Sequence, residues 1–142
     1  MKTHRIWLMV GLVVLLTAPV HGGGDGKKSE KDQKALQGTW VAVKGDKKAE
    51  VEFSGAKFVV KLDDDVYKGT FTLNPSKKPK QIDMTVKDGP KYVGMVSLGI
   101  YKIEGGTLTW RTNEPGREQR PEDFTSEIEG TLLLVLGKKK ND

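Results

Sequence analysis

The sequence predicts an all-β domain: about eight antiparallel strands in a closed up-and-down barrel, with a short helix in front. Three observations carry this. From Gly38 onward apolar and polar residues alternate with period two, the pattern of half-buried strands. The alternating runs are separated by Gly, Asp, Asn and Pro, the residues of tight turns. Nearly every connection is short enough to join antiparallel neighbours, and closing such a series removes its exposed edges. A flattened β-sandwich is the alternative architecture for the same pattern.

The elements follow in order. Residues 1–22 read as a signal peptide: "MKTHR" is a basic start, "IWLMVGLVVLLTAPV" an apolar run, and "VHG" puts Val20 and Gly22 at the small-residue positions of a cleavage site. Residues 23–32 read as a flexible polar linker, continuing "GGGDGKK" at 22–28. Ser29, with Asp32 three residues on, caps one or two helical turns that end with Ala35 and Leu36 on the apolar side. The β domain spans 33–139, and 140–142 is a polar tail. Its runs are "TWVAV", with Trp40 and Ala42 on one face; "AEVEF", with Val51 and Phe53 inward; and "KFVVKL", with Phe58, Val60 and Leu62 inward. Next come "VYKGTFTL", with Tyr67, Phe71 and Leu73 together, and "QIDMTVK", with Ile82, Met84 and Val86 inward. "VGMVSLGIYKI" is apolar on both faces, "TLTWRT" points Leu108 and Trp110 inward, and "TLLLVLG" is again two-faced. The two-faced strands call for a cover outside the barrel or a shared interface. "NEPGREQRPEDFTSEI" is the longest irregular stretch.

The leader implies export, to the periplasm, the cell envelope or the medium. It also contains both histidines, His4 and His21, and the chain has no cysteine. A chain starting near Gly23 therefore has neither residue type. That excludes a Ser-His-Asp triad, a Cys-His pair, a Cys/His zinc site and disulfides. No catalytic residue, metal or cofactor is expected. "DDD" at 63–65 reads as a hairpin turn, because the spacing lacks the alternating ligands and distal Glu of a calcium loop. The net charge of +5 falls to +3 without Lys2 and Arg5, since 22 basic residues then face 19 acidic ones. Interleaved signs without a basic stripe argue against nucleic acid.

"LQGTW", "NPSKKPKQIDMTV", "GIYKIEGGTLTW", "RPEDF" and "TLLLVLGKK", in this order and spacing, resemble a family of exported Planctomycetes proteins, an uncharacterised lipocalin-like domain. The resemblance covers about residues 33 to 139. It implies an exported lipocalin-like domain with no established activity. Members of that family often carry cysteine where this chain has Trp110, which removes any thiol role here. The chain is similar to lipocalins proper only in Gly38, Trp40, the preceding helix and the strand count.

Function is expected to be binding, to a small apolar ligand or an envelope component, with no spanning segment once the leader is removed. Tyr67, Phe71, Tyr101, Trp110, Arg117 and Arg120 are the candidate ligand contacts. Gly38, Trp40 and Arg111 form the candidate structural motif: Trp40 floors the closed end against Leu36, and Arg111 stacks on its ring. The alternative is a filled barrel that acts on a partner through loops 74–80 and 113–123. The leader reading is checked by intact mass. The exported protein is expected to lack residues 1–22, and a mass that retains them makes the run a membrane anchor.

Overall fold

The computed structural model describes residues 23–45, 47–125 and 129–140. The predicted leader and residues 141–142 of the polar tail lie outside them. Helix α1 (Gly23–Leu36) precedes eight strands: β1 (Gly38–Gly45), β2 (Ala49–Ser54), β3 (Lys57–Leu62), β4 (Asp65–Asn74), β5 (Lys80–Asp88), β6 (Val96–Glu104), β7 (Thr107–Asn113) and β8 (Thr131–Lys138). Each strand pairs antiparallel with the next, and β1 pairs with β8, so the sheet is a closed up-and-down barrel and not a sandwich. Irregularities between Ala42 and Lys44 and between Lys68 and Gly69 mark where strands bend to close it. Among the described residues, no helix is long and apolar enough to cross a membrane.

The pleat alternates as the sequence predicts. Val51, Phe53, Phe58, Val60, Phe71, Ile82, Met84, Leu108, Trp110, Leu134 and Leu136 are buried together inside. Phe53 and Phe71 meet edge to face, with ring centroids 5.0 Å apart. "DDD" is the β3–β4 turn, with Asp63 in the left-handed region at φ 52°.

The helix differs from expectation. It begins at Gly23, so it takes up the predicted linker, and Ser29 lies within it. Three glycines among its first four residues disfavour that start, and nothing in the structure explains it. Asp32 is no capping partner. It is buried, accepting 2.7 Å from the Tyr101 hydroxyl and 2.9 Å from Lys80 Nζ. Burial, and then this bond, hold the Tyr101 phenol far above its usual range, so it stays a neutral donor. Gln37 adds a second clamp by bonding both backbone polar groups of Gly55 in the β2–β3 turn.

These contacts close one end. Trp40 is 1 % exposed, and its Nε1 donates 2.7 Å to the carbonyl of Leu36, which is itself fully buried. That carbonyl belongs to the last helical turn, whose acceptors have no partner within the helix. Gly38 sits between them at φ +109°, a conformation that side chains resist. The cation over the Trp40 ring is Lys138, with Nζ 5.6 Å from the centroid, and not Arg111. The reason is the pleat: Trp110 faces in, so its neighbour Arg111 faces out.

Replacing Trp40 with alanine is expected to cost about 3–5 kcal/mol, because it leaves a cavity and an unpaired helix carbonyl together. Trp40→Phe keeps most of the burial and is expected to lose about 1–3 kcal/mol. Denaturant midpoints of the two variants check the order, and an unmoved midpoint for Trp40→Ala contradicts the floor role.

Candidate functional site

The hairpin polarity puts two kinds of end on the barrel. The turns β2–β3, β4–β5 and β6–β7 lie with α1 at the filled end. The connections β1–β2, β3–β4, β5–β6 and β7–β8 surround the other end. There the inward side chains do not meet, and a cavity of about 430 Å³ opens. Its walls are Phe58, Val60, Met84, Val86, Trp110 and Leu132. Tyr67, Ser97, Thr112, Asn113 and Thr131 add polar groups to the lining. An eight-stranded barrel is just wide enough to be filled or to hold one small molecule. This one is filled at one end and hollow at the other.

The charged side chains lining the cavity, among the described residues, are Lys47, Asp65, Lys91 and Glu114, and all belong to connections or strand ends at the rim. Two cations and two carboxylates leave the rim balanced. The Tyr92 hydroxyl donates 2.8 Å to Glu114, which ties the β5–β6 connection to the start of the β7–β8 connection. Tyr92 holds φ 65°, costly for a bulky residue at about 1–3 kcal/mol, and its ring lies 6.2 Å from that of Tyr67. The latch and the ring contact keep this turn over the rim. The hydrogen bond from Tyr92 holds the Glu114 carboxyl below its usual 4.5; burial opposes it, and the positive Arg117 adds to the lowering.

The long β7–β8 connection lies over the outer face of β5, β6 and β7. Arg111, 2 % exposed, donates to Thr131 Oγ1 and to the carbonyl of Asp123. Arg120 donates 2.8 Å to the carbonyl of Gly99 and pairs with Asp83 at 2.6 Å. Ile100 faces out, next to inward Tyr101, yet is 1 % exposed beneath this segment. The cover that two-faced β6 requires is thus made by the chain itself. A second space of about 470 Å³ is lined by Arg117, Glu118, Arg120 and Glu129 of the β7–β8 connection. Carboxylates and carbonyls already engage its arginines: Arg117 meets Glu114 at 3.4 Å and the carbonyl of Glu129.

Of the six candidate ligand contacts, the structure brings Tyr67 and Trp110 together in the barrel cavity. Phe71 packs within the filled half, and Tyr101 holds the helix at the closed end. Arg117 and Arg120 lie outside the barrel, because a connection after outward-facing Arg111 runs over the outer surface. Ser97 and Thr112 were legible by counting in twos from Tyr101 and Trp110. Tyr92 and Glu114 were not, since no periodicity governs a connection. Among the described residues, no group of three or more His, Cys, Asp or Glu could hold a metal ion.

Fold and cavity together define an eight-stranded antiparallel barrel with one plugged end and one open end, its cavity largely apolar behind a charged rim. Compared with known proteins, the chain matches no family model, no curated protein and no solved structure.

The rim latch makes a pH prediction. A carboxyl whose folded value is lowered adds stability above its unfolded value, and that contribution is lost as pH falls through the folded value. In an NMR titration Glu114 is expected to titrate below 4.5, and Tyr92→Phe to move it back toward 4.5. A Glu114 midpoint at or above 4.5 in the wild type contradicts the latch.

Proposed function

We propose that the protein is an exported, non-catalytic binding module that takes one small apolar molecule, free or presented by an envelope component, into the mouth of its barrel. The observation that carries this reading is the uneven filling. Bulky side chains and α1 occupy one end, while the other keeps about 430 Å³ of apolar-walled space. That volume falls within the usual range of small-molecule sites, roughly 300–1,000 Å³. The leader pattern of residues 1–22 and the resemblance to an exported lipocalin-like family support the export part.

A second reading, an interaction module that works through its connections, is favoured by the exposed apolar side chains of Val93, Met95 and Val96 at the rim, 58 %, 47 % and 37 % exposed. These residues stand beside the mouth, which also suits a surface from which a ligand is collected.

The neutral fluorophore N-phenylnaphthylamine tests the first reading. The wild type is expected to bind it with a rise in emission. Leu132→Trp, which fills the mouth, is expected to weaken binding about tenfold or more while the melting transition stays near that of the wild type. No binding by the wild type, or equal binding by a folded Leu132→Trp, overturns the proposal.

A further inference from the structure

Apart from the charged residues and Tyr92, five side chains with hydroxyl or amide groups line the cavity: Tyr67, Ser97, Thr112, Asn113 and Thr131. Three of them are engaged within the protein. Ser97 and Thr112 share a short hydrogen bond, and each also meets a backbone carbonyl, of Asn113 and of Leu98. Thr131 Oγ1 accepts from the Arg111 guanidinium. The other two are not: among the described residues nothing bonds the Tyr67 hydroxyl or the Asn113 side-chain amide. Asn113 is 5 % exposed, yet its amide, unlike the Trp110 indole nitrogen, is not sealed from the space it lines. A polar group this buried is costly to leave unpaired, so a partner brought to it is rewarded. Both residues stand at the open end, Tyr67 near the start of β4 and Asn113 last in β7. They approach the mouth from separate walls, since β4 and β7 are not neighbours in the closed order. A phenol and a carboxamide can each donate and accept, so one small head with a donor and an acceptor satisfies both. The rim charges alternate in sign around this point: Lys47, Asp65, Lys91 and Glu114, each from a different connection or its adjoining strand end. A charged head drawn out of water among them gains no net counter-charge. Burial, and then the Asp65 carboxylate, raise the Tyr67 phenol, so it stays neutral and an anion beside it meets like charge.

We infer that the cavity takes an uncharged amphiphile, with its apolar body among Val60, Met84, Val86 and Leu132 and a single alcohol or amide head at the mouth, bonded to the Tyr67 hydroxyl and the Asn113 amide. This rests on the binding reading above and narrows it to neutral heads that both donate and accept, against carboxylates and ammonium ions.

Five probes that share one phenylethyl body test it: 2-phenylethanol, 3-phenylpropanamide, propylbenzene, 3-phenylpropanoate and 2-phenylethylammonium. The alcohol or the amide is expected to bind about tenfold tighter than either ion, and the tighter of the two names the head. Tyr67→Phe and Asn113→Leu are each expected to weaken that probe about tenfold and to leave propylbenzene unchanged. In the ¹⁵N-labelled protein the side-chain amide signals of Asn113 are expected to move further with that probe than with propylbenzene. Asn74, whose amide oxygen accepts from Ser76 in the turn at the filled end, serves as the internal control. An ion that binds at least as tightly as both neutral heads overturns this inference and leaves the binding reading standing. So do Asn113 signals that ignore both neutral heads, or variants that weaken propylbenzene as much as the alcohol and the amide. Failure of all five probes together with N-phenylnaphthylamine removes the binding reading itself. If Asn113→Leu does not fold, Tyr67→Phe and the wild-type amide signals decide.

Discussion

Every part of this molecule answers to one constraint: in a closed sheet each strand has an inside and an outside, and consecutive residues must take opposite sides. Closure between β1 and β8 leaves no edge unpaired. It also fixes a single interior that the inward residues of eight strands must either fill or leave empty. Trp110 and Arg111 show the force of the rule. They are adjacent and both almost fully buried, one in the cavity wall and the other under the β7–β8 connection. Their burial has different causes, and their roles cannot be exchanged.

The two ends of the barrel resolve the same problem differently. At one end a helix supplies Leu36 and a buried carboxylate. The carboxylate is matched by a phenol and an ammonium group, and the helix carbonyl by the Trp40 indole. Each polar group taken out of water there has a partner, which is the condition for burying it at low cost. At the other end no element caps the opening among the described residues. The β5–β6 and β7–β8 connections are joined there by a hydroxyl–carboxylate bond at a strained residue. Buried, paired contacts are concentrated where the barrel is full, and more exposed ones surround the space that a ligand would enter.

The outer strap joins these parts. Arg111 and Arg120 bind backbone carbonyls and carboxylates of different elements and hold an irregular segment against β5–β7. Guanidinium groups suit this role, since each offers several donors in a fixed plane to scattered acceptors. The segment they hold runs on from the end of β7 at the rim, beginning with Glu114, so the strap and the latch on Tyr92 belong to one continuous stretch of chain.

The sequence by itself determined the strand set, the inward face of each strand but the two-faced β6 and β8, and the placing of Trp40 beside Leu36. All three depend on local alternation and on residues four apart. Only the tertiary structure decided which end is hollow, because that depends on whether side chains from strands far apart in the chain meet across the interior. It decided too that Asp32 faces Tyr101, sixty-nine residues away, and not its own helix terminus. It separated Tyr67 and Trp110 from Phe71, Tyr101, Arg117 and Arg120, residues that shared an aromatic or basic character in the sequence but not a depth or a side of the wall. Chemical type is written residue by residue. Depth within a closed barrel is set by register and tilt, which exist only once the last strand has paired with the first.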